Sequence, residues 1–592
     1  MTDLRVAEQN KLRGIAVSPG IVIGKARLID RSRVKILYQY LIDDDRISQE
    51  VNRFKDALRT AEEKLVTLKD RMPEQVKEHA FILDSHLMIL KDSMLTDSTI
   101  QKILNEKINA EWALKKSLEE IRRIFDQIDD DYISTRISDV ENVAERILRN
   151  LSGEAQEGLT EIDERVIIVA HDLSPADTTE FNVNKVMGFI TDVGGRTSHT
   201  AIMAQALELP AVMGLECATD LVKEGDLLIV DGHIGEVVIN PDDSAIIHYQ
   251  EKQLQHEKYK SGIALTSHLP AETLDGHRIT VNANIEFLEE VVVVRDYGWE
   301  GIGLYRTEFL YLKGLPNEED LFENYREVAQ IIAPDPVTIR TLDLGGDKLA
   351  SGLEIPEEIN PALGLRAIRF CLKEPEIFKS QLRAILRASV YGNIQLMFPM
   401  ISGLQEILDA KEILGQVKDE LDHENVEYDH DLRVGIMIEI PSAVTMAEVL
   451  ALHVDFFSIG TNDLIQYALA IDRINEHVAY MYQPFHPAIL KMIQQVINAA
   501  RNAGIHVSLC GEMAGDPLCV SILLGLGIDG LSMNARAIPL IKKIIRSISF
   551  EEARSDFEKV IRLSTAKEVR EYILDRMKSL IPELEEKGYL AM

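Results

Sequence analysis

The feature that most constrains the fold of this 592-residue chain is a series of eight short apolar runs between Thr273 and Ser547, separated by stretches with helical periodicity. Alternation of this kind is typical of parallel β-strands joined by helices. The region also has the usual size of a (β/α)8 barrel, about 250 residues. We therefore predict a TIM barrel over residues 271–548. The predicted strands are Ile279–Ala283, Gly301–Tyr305, Val337–Leu342, Ile394–Phe398, Val434–Ile438, Asp455–Ile459, His506–Leu509 and Gly530–Met533.

Polar, charged or thiol side chains stand at seven of the eight carboxyl ends of these predicted strands. Barrel enzymes carry their reactive groups at that end, because the loops that follow the strands surround one mouth. Any single residue of this kind has little meaning, but seven at the same end of the barrel predict a functional site there. The residues are Asn284, Arg306, Asp343, Glu439, Asn462 with Asp463, Cys510 and Asn534, and the eighth end is Pro399-Met400.

Three arginines near these strand ends favour an anion site. Arg306 follows the second strand, Arg340 lies near the end of the third, and Arg473 follows Asn462 and Asp463. The planar guanidinium matches phosphate and carboxylate oxygens with paired hydrogen bonds. Each arginine alone is more typical of a surface ion pair. Together at one mouth they predict a site for a small polyanion.

Glu439 and Asp463 end the fifth and sixth predicted strands, which are neighbours in a barrel. Two carboxylates, completed by substrate oxygens and water, suit Mg²⁺, which seldom uses a full cage of protein ligands. Structural acids and a general acid–base pair are the alternatives. Beside arginines that bind a phosphate, the magnesium site is the leading interpretation.

Cys510 ends the seventh predicted strand and is followed by Gly511. A lone cysteine in a barrel strand usually only fills space. At the mouth, next to a reacting carbon, it could instead donate a proton.

A second candidate group lies in the stretch Gly194–Gly214, where a strand-like run leads through two glycines into a predicted helix that Pro210 ends. His199 falls at or near the start of that helix, where free N–H groups and the helix dipole favour negative charge. A histidine in this place often only caps or packs a loop. With Arg196 beside it, His199 could also be a nucleophile whose phosphorylated form is stabilised there.

The remaining sequence predicts several domains in a multidomain α/β chain. Residues 13–41 and 151–241 contain strand signals and form an α/β domain that carries His199. Residues 42–150 are almost free of Gly and Pro and predict an all-helical insert. Residues 242–270 predict a polar linker helix, and residues 549–592 a charged helical extension.

Composition excludes several classes of protein. The net charge is −33, from 64 basic and 97 acidic residues, which argues against nucleic acid as a partner. The four cysteines show no metal or redox spacing. Neither an apolar leader nor a run of about 20 apolar residues is visible. We therefore expect a cytoplasmic protein with reduced thiols and no membrane insertion.

The Gly194–Gly214 stretch resembles the phosphohistidine signature of the family that contains Enzyme I of the phosphoenolpyruvate:sugar phosphotransferase system, pyruvate phosphate dikinase and phosphoenolpyruvate synthase. Within that family the chain is most similar to Enzyme I, from about residue 13 to 550 and in the same domain order. The barrel motifs that carry the resemblance are Gly303–Phe309, Thr341–Lys348, Gly435–Pro441, Phe456–Tyr467, Tyr482–Pro487 and Leu509–Gly515.

The resemblance implies a role for each candidate residue. Arg306, Arg340, Arg473 and Asn462 bind phosphoenolpyruvate, with Asp463 beside them; Glu439 and Asp463 hold Mg²⁺; Cys510 donates a proton; and His199 accepts the phosphoryl group. Lys348 and Arg366 support the anion site. One position departs from the family, because Ile474 stands where a glycine usually follows the arginine of that loop.

The resemblance also implies partners and motion. The histidine-containing phosphocarrier protein HPr receives the phosphoryl group from a swivelling phosphohistidine domain and docks on the helical insert. The docking surface is expected around the helix Phe81–Asp92, with acidic residues and His86 around an apolar centre. The family forms homodimers through the barrel.

Three other functions stay open at this stage. A dikinase or synthase would charge the same histidine from ATP, but only about 40 residues precede the helical insert, with no glycine-rich phosphate loop. A phosphorylation-dependent regulator could keep the fold without catalysis, although His199, Glu439, Asp463 and Cys510 argue against it. An Enzyme I could also serve a nitrogen-regulatory chain rather than sugar uptake.

Overall fold

The computed structural model describes residues 10–29, 41–43, 46–71, 80–125, 140, 143–151, 164–173, 181, 185–195, 199–207, 209–288, 290–291, 297–311, 314–344, 360–473 and 478–586. The chain forms two compact units, with the division between Glu257 and Lys258. No helix in these ranges is both long and apolar enough to cross a bilayer. Each unit has its own hydrophobic core and is described separately.

The first unit contains an eight-stranded mixed sheet in the order β1-β8-β7-β3-β4-β5-β6-β2. Strands β3, β4, β5 and β6 run parallel, and antiparallel strands extend the sheet on both sides. Every residue of β4 is buried, as expected for an apolar strand covered on both faces. The strands are β1 (Lys11–Arg13), β2 (Ile15–Ser18), β3 (Ile21–Ile29), β4 (Val166–Ala170), β5 (Val186–Thr191), β6 (Ala211–Met213), β7 (Leu227–Asp231) and β8 (Glu236–Ile239).

Helices make up most of the described chain between β3 and β4. Phe54, Ala61 and Leu65 recur at helical spacing on the first of them and are buried in a shared core with Ile103 and Leu114. The helices are α1 (Ile47–Arg71), α2 (Ala80–Lys91), α3 (Ser93–Glu106) and α4 (Ala110–Phe125), and residues 143–151 are also helical.

One prediction for this insert is wrong. His86 was expected on an exposed docking surface, but its side chain is completely buried. It precedes the buried Leu90 by four residues, so both lie on the core-facing side of α2. Met88, between them in sequence, is 74% exposed and faces solvent instead.

Among the described residues that follow β4 and precede the barrel strands, the helices are α5 (His199–Ala206), α6 (Ala218–Leu221) and α7 (Asp243–Thr266). The first half of α7 is attached to the sheet of the first unit. Tyr249 donates a hydrogen bond of 2.7 Å to Glu236, and Lys252 lies 3.8 Å from Asp231. These contacts fix the start of the predicted linker helix to one unit.

The second unit is a closed barrel of eight parallel strands in sequential order, which confirms the predicted TIM-type architecture. Each predicted strand is present with its ends displaced by at most two residues. The strands are β9 (Thr280–Ile285), β10 (Ile302–Arg306), β11 (Pro336–Arg340), β12 (Asn393–Phe398), β13 (Arg433–Ile438), β14 (Phe456–Gly460), β15 (His506–Cys510) and β16 (Gly530–Asn534).

Helices follow the strands and cover the barrel. They are α8 (Glu318–Ile332), α9 (Ile368–Lys373), α10 (Pro375–Ala388), α11 (Leu404–Glu424), α12 (Pro441–Thr445), α13 (Ala447–Leu450), α14 (Thr461–Leu469), α15 (Pro487–Ala503), α16 (Glu512–Gly515), α17 (Cys519–Leu526), α18 (Ile538–Ile545), α19 (Phe550–Val560), α20 (Ala566–Leu580) and α21 (Pro582–Glu586). Val569, Ile573, Met577 and Leu584, from the last two helices, are buried in the core of the barrel unit.

Candidate active site

Arg340, the last residue of β11, lies between two carboxylates. Its Nη1 is 3.0 Å from Oδ2 of Asp343, and its Nη2 contacts Oε1 of Glu308. All three residues are buried. Burial alone would lower the pKa of Arg340, but attraction to Glu308 and Asp343 outweighs it and raises that pKa above its usual value. The mouth of the barrel therefore contains a permanent, buried cation.

Asp343 also binds a second guanidinium, that of Arg366. Its Oδ1 accepts hydrogen bonds from Nη2 of Arg366 at 2.8 Å and from Nε at 3.1 Å. The Nη1 atom of Arg366 lies 3.8 Å from Oδ1 of Asp463 and 3.3 Å from the hydroxyl of Tyr467. Arg340 and Arg366 are thus joined through one carboxylate, next to a predicted metal ligand.

Arg306 and Arg473 each pair with a different carboxylate at the ends of the strands. Arg306 ends β10 and contacts Glu286. Arg473 lies after α14, and its Nη1 is 3.1 Å from Oε1 of Glu512. The side chains of Arg473 and Glu512 are 38% and 69% exposed, so this ion pair is weak and can exchange partners.

Asn462, in the first turn of α14, is held by neighbouring donors. Its Oδ1 accepts hydrogen bonds from the backbone N–H of Glu512 at 3.1 Å and from the Tyr482 hydroxyl at 3.2 Å. Gly511 makes this approach possible: its φ is +108°, and a Cβ there would lie 2.6 Å from Thr461 and 3.0 Å from the Asn462 oxygen. Because Oδ1 of Asn462 already accepts two hydrogen bonds, the side-chain NH₂ is the group that can donate to an anion.

Glu439, which follows β13, is almost completely buried. Its Oε1 accepts a hydrogen bond of 2.6 Å from the Met400 N–H. A Cβ on Gly460 would lie 2.7 Å from its Oε2, so only glycine leaves room for this carboxylate. Burial raises the pKa of Glu439 to about 8, with further contributions from the negative charges of Asp463 and Asp343.

The carboxylates of Glu439 and Asp463 fit a divalent cation. A cation would relieve the repulsion that raises the pKa of Glu439, and carboxylate oxygens are the ligands that Mg²⁺ prefers. Among the residues with described positions, no three His, Cys, Asp or Glu side chains are arranged to hold a metal ion. A pair of carboxylates suits an ion such as Mg²⁺, which commonly keeps water and substrate oxygens as its other ligands.

Cys510, the last residue of β15, is buried in an apolar cluster inside the barrel, with Leu304, Met397, Met437 and Phe456. Its Sγ accepts a hydrogen bond of 3.4 Å from Oγ of Ser458 and lies 3.6 Å from the Ile459 carbonyl oxygen. Burial raises the pKa of the Cys510 thiol, and the Ser458 hydrogen bond partly opposes that rise. The thiol therefore keeps its proton at neutral pH.

In the first unit, His199 is the first residue of α5, as its sequence context predicts. Thr200 fixes the start of this helix, because its hydroxyl donates a hydrogen bond of 2.5 Å to the Leu173 carbonyl, beyond β4. Gly194 lies after β5 with a φ of +112°, and a Cβ there would lie 2.3 Å from Cε of Met213. The side chain of His199 lies outside the described part of the structure.

The barrel therefore brings together two groups of predicted residues at its carboxyl end. Arg340 and Arg366, linked through Asp343, form one with Asp463 beside Arg366 and with Glu439, whose pKa responds to Asp463, Asp343 and Arg340. Asn462 and Arg473 form the other, linked through Glu512, and it adjoins Cys510 through Gly511. Arg306 pairs with Glu286 instead. Lys348 and Ile474 lie outside the described residues.

Sequence reasoning missed Glu308, Tyr467 and Ser458. Glu308 follows Arg306 by two residues, so its proximity to the site was visible but its contact with Arg340 was not. Tyr467 follows Asp463 by four residues, which places both on one face of α14. Ser458 lies two residues from Gly460 on β14 and shares its side of the strand.

Comparison with known proteins agrees with this architecture. Three family models of phosphoenolpyruvate (PEP)-utilising enzymes match the chain in succession: the N-terminal domain over residues 13–136, the mobile domain over 162–235 and the PEP-binding domain over 260–550. The barrel, with its arginine and carboxylate groups, is thus the PEP-binding domain of a PEP-utilising enzyme.

Similar proteins extend over nearly the whole chain. A phosphoenolpyruvate-protein phosphotransferase of Staphylococcus carnosus is 42% identical over 96% of this chain and 99% of its own length. Proteins of the same name from Bacillus subtilis and Haemophilus influenzae are 43% and 42% identical, over 96% and 95% of this chain and 100% and 98% of their own lengths. The chain therefore belongs to the phosphoenolpyruvate-protein phosphotransferase family, the Enzyme I proteins.

Proposed function

We propose that the protein transfers the phosphoryl group of phosphoenolpyruvate to His199 and then to HPr, with release of pyruvate, as the first step of a bacterial sugar phosphotransferase system. The observation that carries this proposal is the linked pair of guanidinium groups, Arg340 and Arg366, on Asp343, next to Glu439 and Asp463. Cations beside a metal-binding carboxylate pair suit a substrate that carries both a phosphate and a carboxylate.

In this proposal the arginines and Asn462 bind the anionic groups of phosphoenolpyruvate. Arg306 and Arg473 exchange their present carboxylate partners for substrate oxygens, and Lys348 assists. Phosphoryl transfer spreads negative charge over the phosphoryl oxygens, so fixed cations supply much of the catalysis. The buried Arg340 needs little reorganisation for this role, because its position is already set by Glu308 and Asp343.

An imidazole nitrogen of His199 attacks phosphorus in line, and the bond between phosphorus and the enol oxygen breaks. The electron pair of that bond leaves with the enolate of pyruvate. The thiol of Cys510 gives its proton to the methylene carbon, which completes pyruvate and leaves a thiolate. Its raised pKa keeps this proton in place until the enolate forms.

Glu439 and Asp463 would hold Mg²⁺ in the proposed site. The ion would supply positive charge beside the phosphate and carboxylate of the substrate. Burial raises the pKa of Glu439 to about 8, and a bound cation would favour the ionised form of this carboxyl group.

One histidine cannot contact both the barrel and HPr, so the proposal requires a swing of the domain that carries His199. We assign that domain to residues 13–41 and 151–241, the HPr-binding insert to 42–150, the linker to 242–270, the barrel to 271–548 and the helical extension to 549–592. The linker helix spans the division between the two compact units, which supports a hinge there. Cytoplasmic action and a homodimer formed through the barrel are part of the proposal by family resemblance.

The test is a single-turnover reaction of the purified protein with phosphoenolpyruvate, with and without Mg²⁺, in the absence of HPr. We expect pyruvate and acid-labile protein phosphate to form together, in proportion to the chain, and only when Mg²⁺ is present. His199→Ala should form neither product. His171→Ala is the control, because this histidine belongs to the same compact unit and its exposed side chain lies just after β4.

Two outcomes would change the proposal. Labelling from ATP, but not from phosphoenolpyruvate, would favour a dikinase or synthase. A folded protein that is labelled by neither compound would favour a regulator that binds partners without catalysis.

A further inference from the structure

Tyr467 joins two parts of the barrel mouth that are far apart in sequence. It lies on α14, one turn after Asp463, and its side chain is partly buried. Its hydroxyl donates a hydrogen bond of 2.5 Å to the carbonyl oxygen of Ala362. The Tyr467 hydroxyl oxygen in turn accepts a hydrogen bond of 3.3 Å from Nη1 of Arg366. One hydroxyl group therefore contacts both the guanidinium of Arg366 and the backbone segment that leads to it.

The opposite edge of the Arg366 guanidinium is bound by Asp343. Nε and Nη2 form that edge, and both donate to Oδ1 of Asp343, at 3.1 and 2.8 Å. Because Tyr467 contacts Nη1, the planar group is held on two sides and cannot rotate freely about its last bond. Its orientation is therefore set jointly by an anion and a neutral hydroxyl.

We propose that Tyr467 is a positioning residue that orients Arg366 for the phosphate of phosphoenolpyruvate; this rests on the function proposed above. Asp343 holds only the Nε–Nη2 edge of the guanidinium, and it also binds Arg340. The Tyr467 hydroxyl adds a directional contact without adding a second negative charge. Oδ1 of Asp463 lies 3.8 Å from the same Nη1, so the Tyr467 hydroxyl supplies the shorter contact on that edge of the guanidinium.

The contact with Ala362 has a second consequence. Ala362 lies in a short turn, Pro361–Leu363, which is followed by Gly364 and precedes Arg366 in the chain. By anchoring this turn to α14, Tyr467 also sets the position of the Arg366 backbone relative to Asp463. Orientation of the side chain and placement of its backbone thus depend on the same hydroxyl.

The test is Tyr467→Phe, which removes only that hydroxyl. We expect KM for phosphoenolpyruvate to rise about tenfold, since one hydrogen bond to a charged group is lost, while kcat changes by less than about threefold. Tyr428→Phe is the matched control, because that hydroxyl contacts Asp422, away from the predicted site residues, at 3.3 Å. A Tyr467→Phe protein with the KM of the wild type would overturn the proposal.

A double-mutant cycle separates positioning from general structural support. If Tyr467 acts through Arg366, the variant that combines Tyr467→Phe with Arg366→Lys should bind phosphoenolpyruvate no more weakly than Arg366→Lys alone. Additive losses would overturn the proposal. Binding can be measured in a His199→Ala background, where no turnover occurs. If wild-type protein is not labelled by phosphoenolpyruvate, the proposed function itself fails, and that outcome is distinct from both results of the cycle.

Discussion

The hydroxyl of Ser458 donates a hydrogen bond to the Cys510 sulfur across 3.4 Å, inside an apolar cluster of the barrel. Both residues are buried, and they belong to the adjacent strands β14 and β15. When Cys510 gives up its proton, the thiolate must be stabilised where water has little access. The Ser458 hydroxyl is placed to do this, so it favours proton donation by Cys510.

Ser458→Ala should therefore slow the formation of pyruvate. Loss of a hydrogen bond to a charged sulfur costs about 1.5–3 kcal/mol, which corresponds to a fall of roughly 10- to 100-fold in a rate limited by proton transfer. The pKa of Cys510 should rise further, because the group that opposes the effect of burial is gone. Pyruvate release by rapid quench, measured against pH, checks both effects.

Ser508→Ala is the control for this prediction, since the Ser508 hydroxyl donates to the Phe457 carbonyl and not to the thiol. Equal rates for Ser458→Ala and wild-type protein would show that Ser458 does not assist Cys510.

Binding of Mg²⁺ should depend on pH through Glu439. Because the pKa of this carboxyl group is raised to about 8, it must lose a proton before it can bind the ion. The apparent affinity for Mg²⁺ should rise about tenfold for each unit between pH 6 and 8 and level off above that range. Calorimetric titration at several pH values measures this, and an affinity that is constant from pH 6 to 9 would contradict it.

The raised pKa of Glu439 also predicts that the stability of the metal-free protein depends on pH. Above pH 4.5 the unfolded chain ionises Glu439, while the folded protein keeps the proton until about pH 8, so the metal-free fold loses stability as pH rises through that interval. Glu439→Gln should remove this loss and also abolish the dependence of stability on Mg²⁺. Glu448→Gln, at an exposed position on α13, is the control and should melt like the wild type at each pH.

Arg340 and Arg473 should differ in what they contribute to stability. Arg340→Met leaves the buried carboxylate of Glu308 without this cation and Asp343 with Arg366 alone, and it should cost about 3–5 kcal/mol. Arg473→Met removes an exposed pair with Glu512 and should cost less than about 1 kcal/mol. Urea unfolding measures both values. Substrate binding should fall in both variants, and equal losses of stability would contradict the structure-based distinction.

Tyr249 should keep the first half of α7 attached to the sheet. Its buried hydroxyl donates to Glu236, which also accepts a hydrogen bond of 2.8 Å from Lys11. Tyr249→Phe should cost about 1–2 kcal/mol and speed hydrogen exchange in residues 243–252. Unchanged hydrogen exchange in residues 243–252 would mean that these contacts do not hold α7 to the sheet. The proposed hinge would then lie nearer the start of α7.

Much of the barrel could be predicted from the sequence, because each strand is defined by a short pattern of neighbouring residues. Each predicted strand is a short apolar run, seven of the eight are followed by polar, charged or thiol residues, and β13 and β14 end one and three residues before Glu439 and Asp463. The start of α5 at His199 follows from the glycines before it and Pro210 after it in the same way.

Contacts between distant segments could not be predicted. Tyr467 is 101 residues from Arg366 along the chain, and a tyrosine on a helix gives no sign of such a partner. Asp343 was visible as a strand end, but its sharing between Arg340 and Arg366 depends on the path of two loops. The error at His86 has a similar cause, because only packing decides which face of a short apolar helix is covered.

The most direct test of the proposed function is to locate the phosphoryl group after reaction with phosphoenolpyruvate and Mg²⁺. The protein would be digested at alkaline pH, where phosphohistidine survives, and the peptides analysed by mass spectrometry. We predict one acid-labile phosphoryl group on His199, full labelling of His171→Ala, and none of His199→Ala. A phosphoryl group on any other residue, or full labelling of a folded His199→Ala protein, would contradict the proposed function.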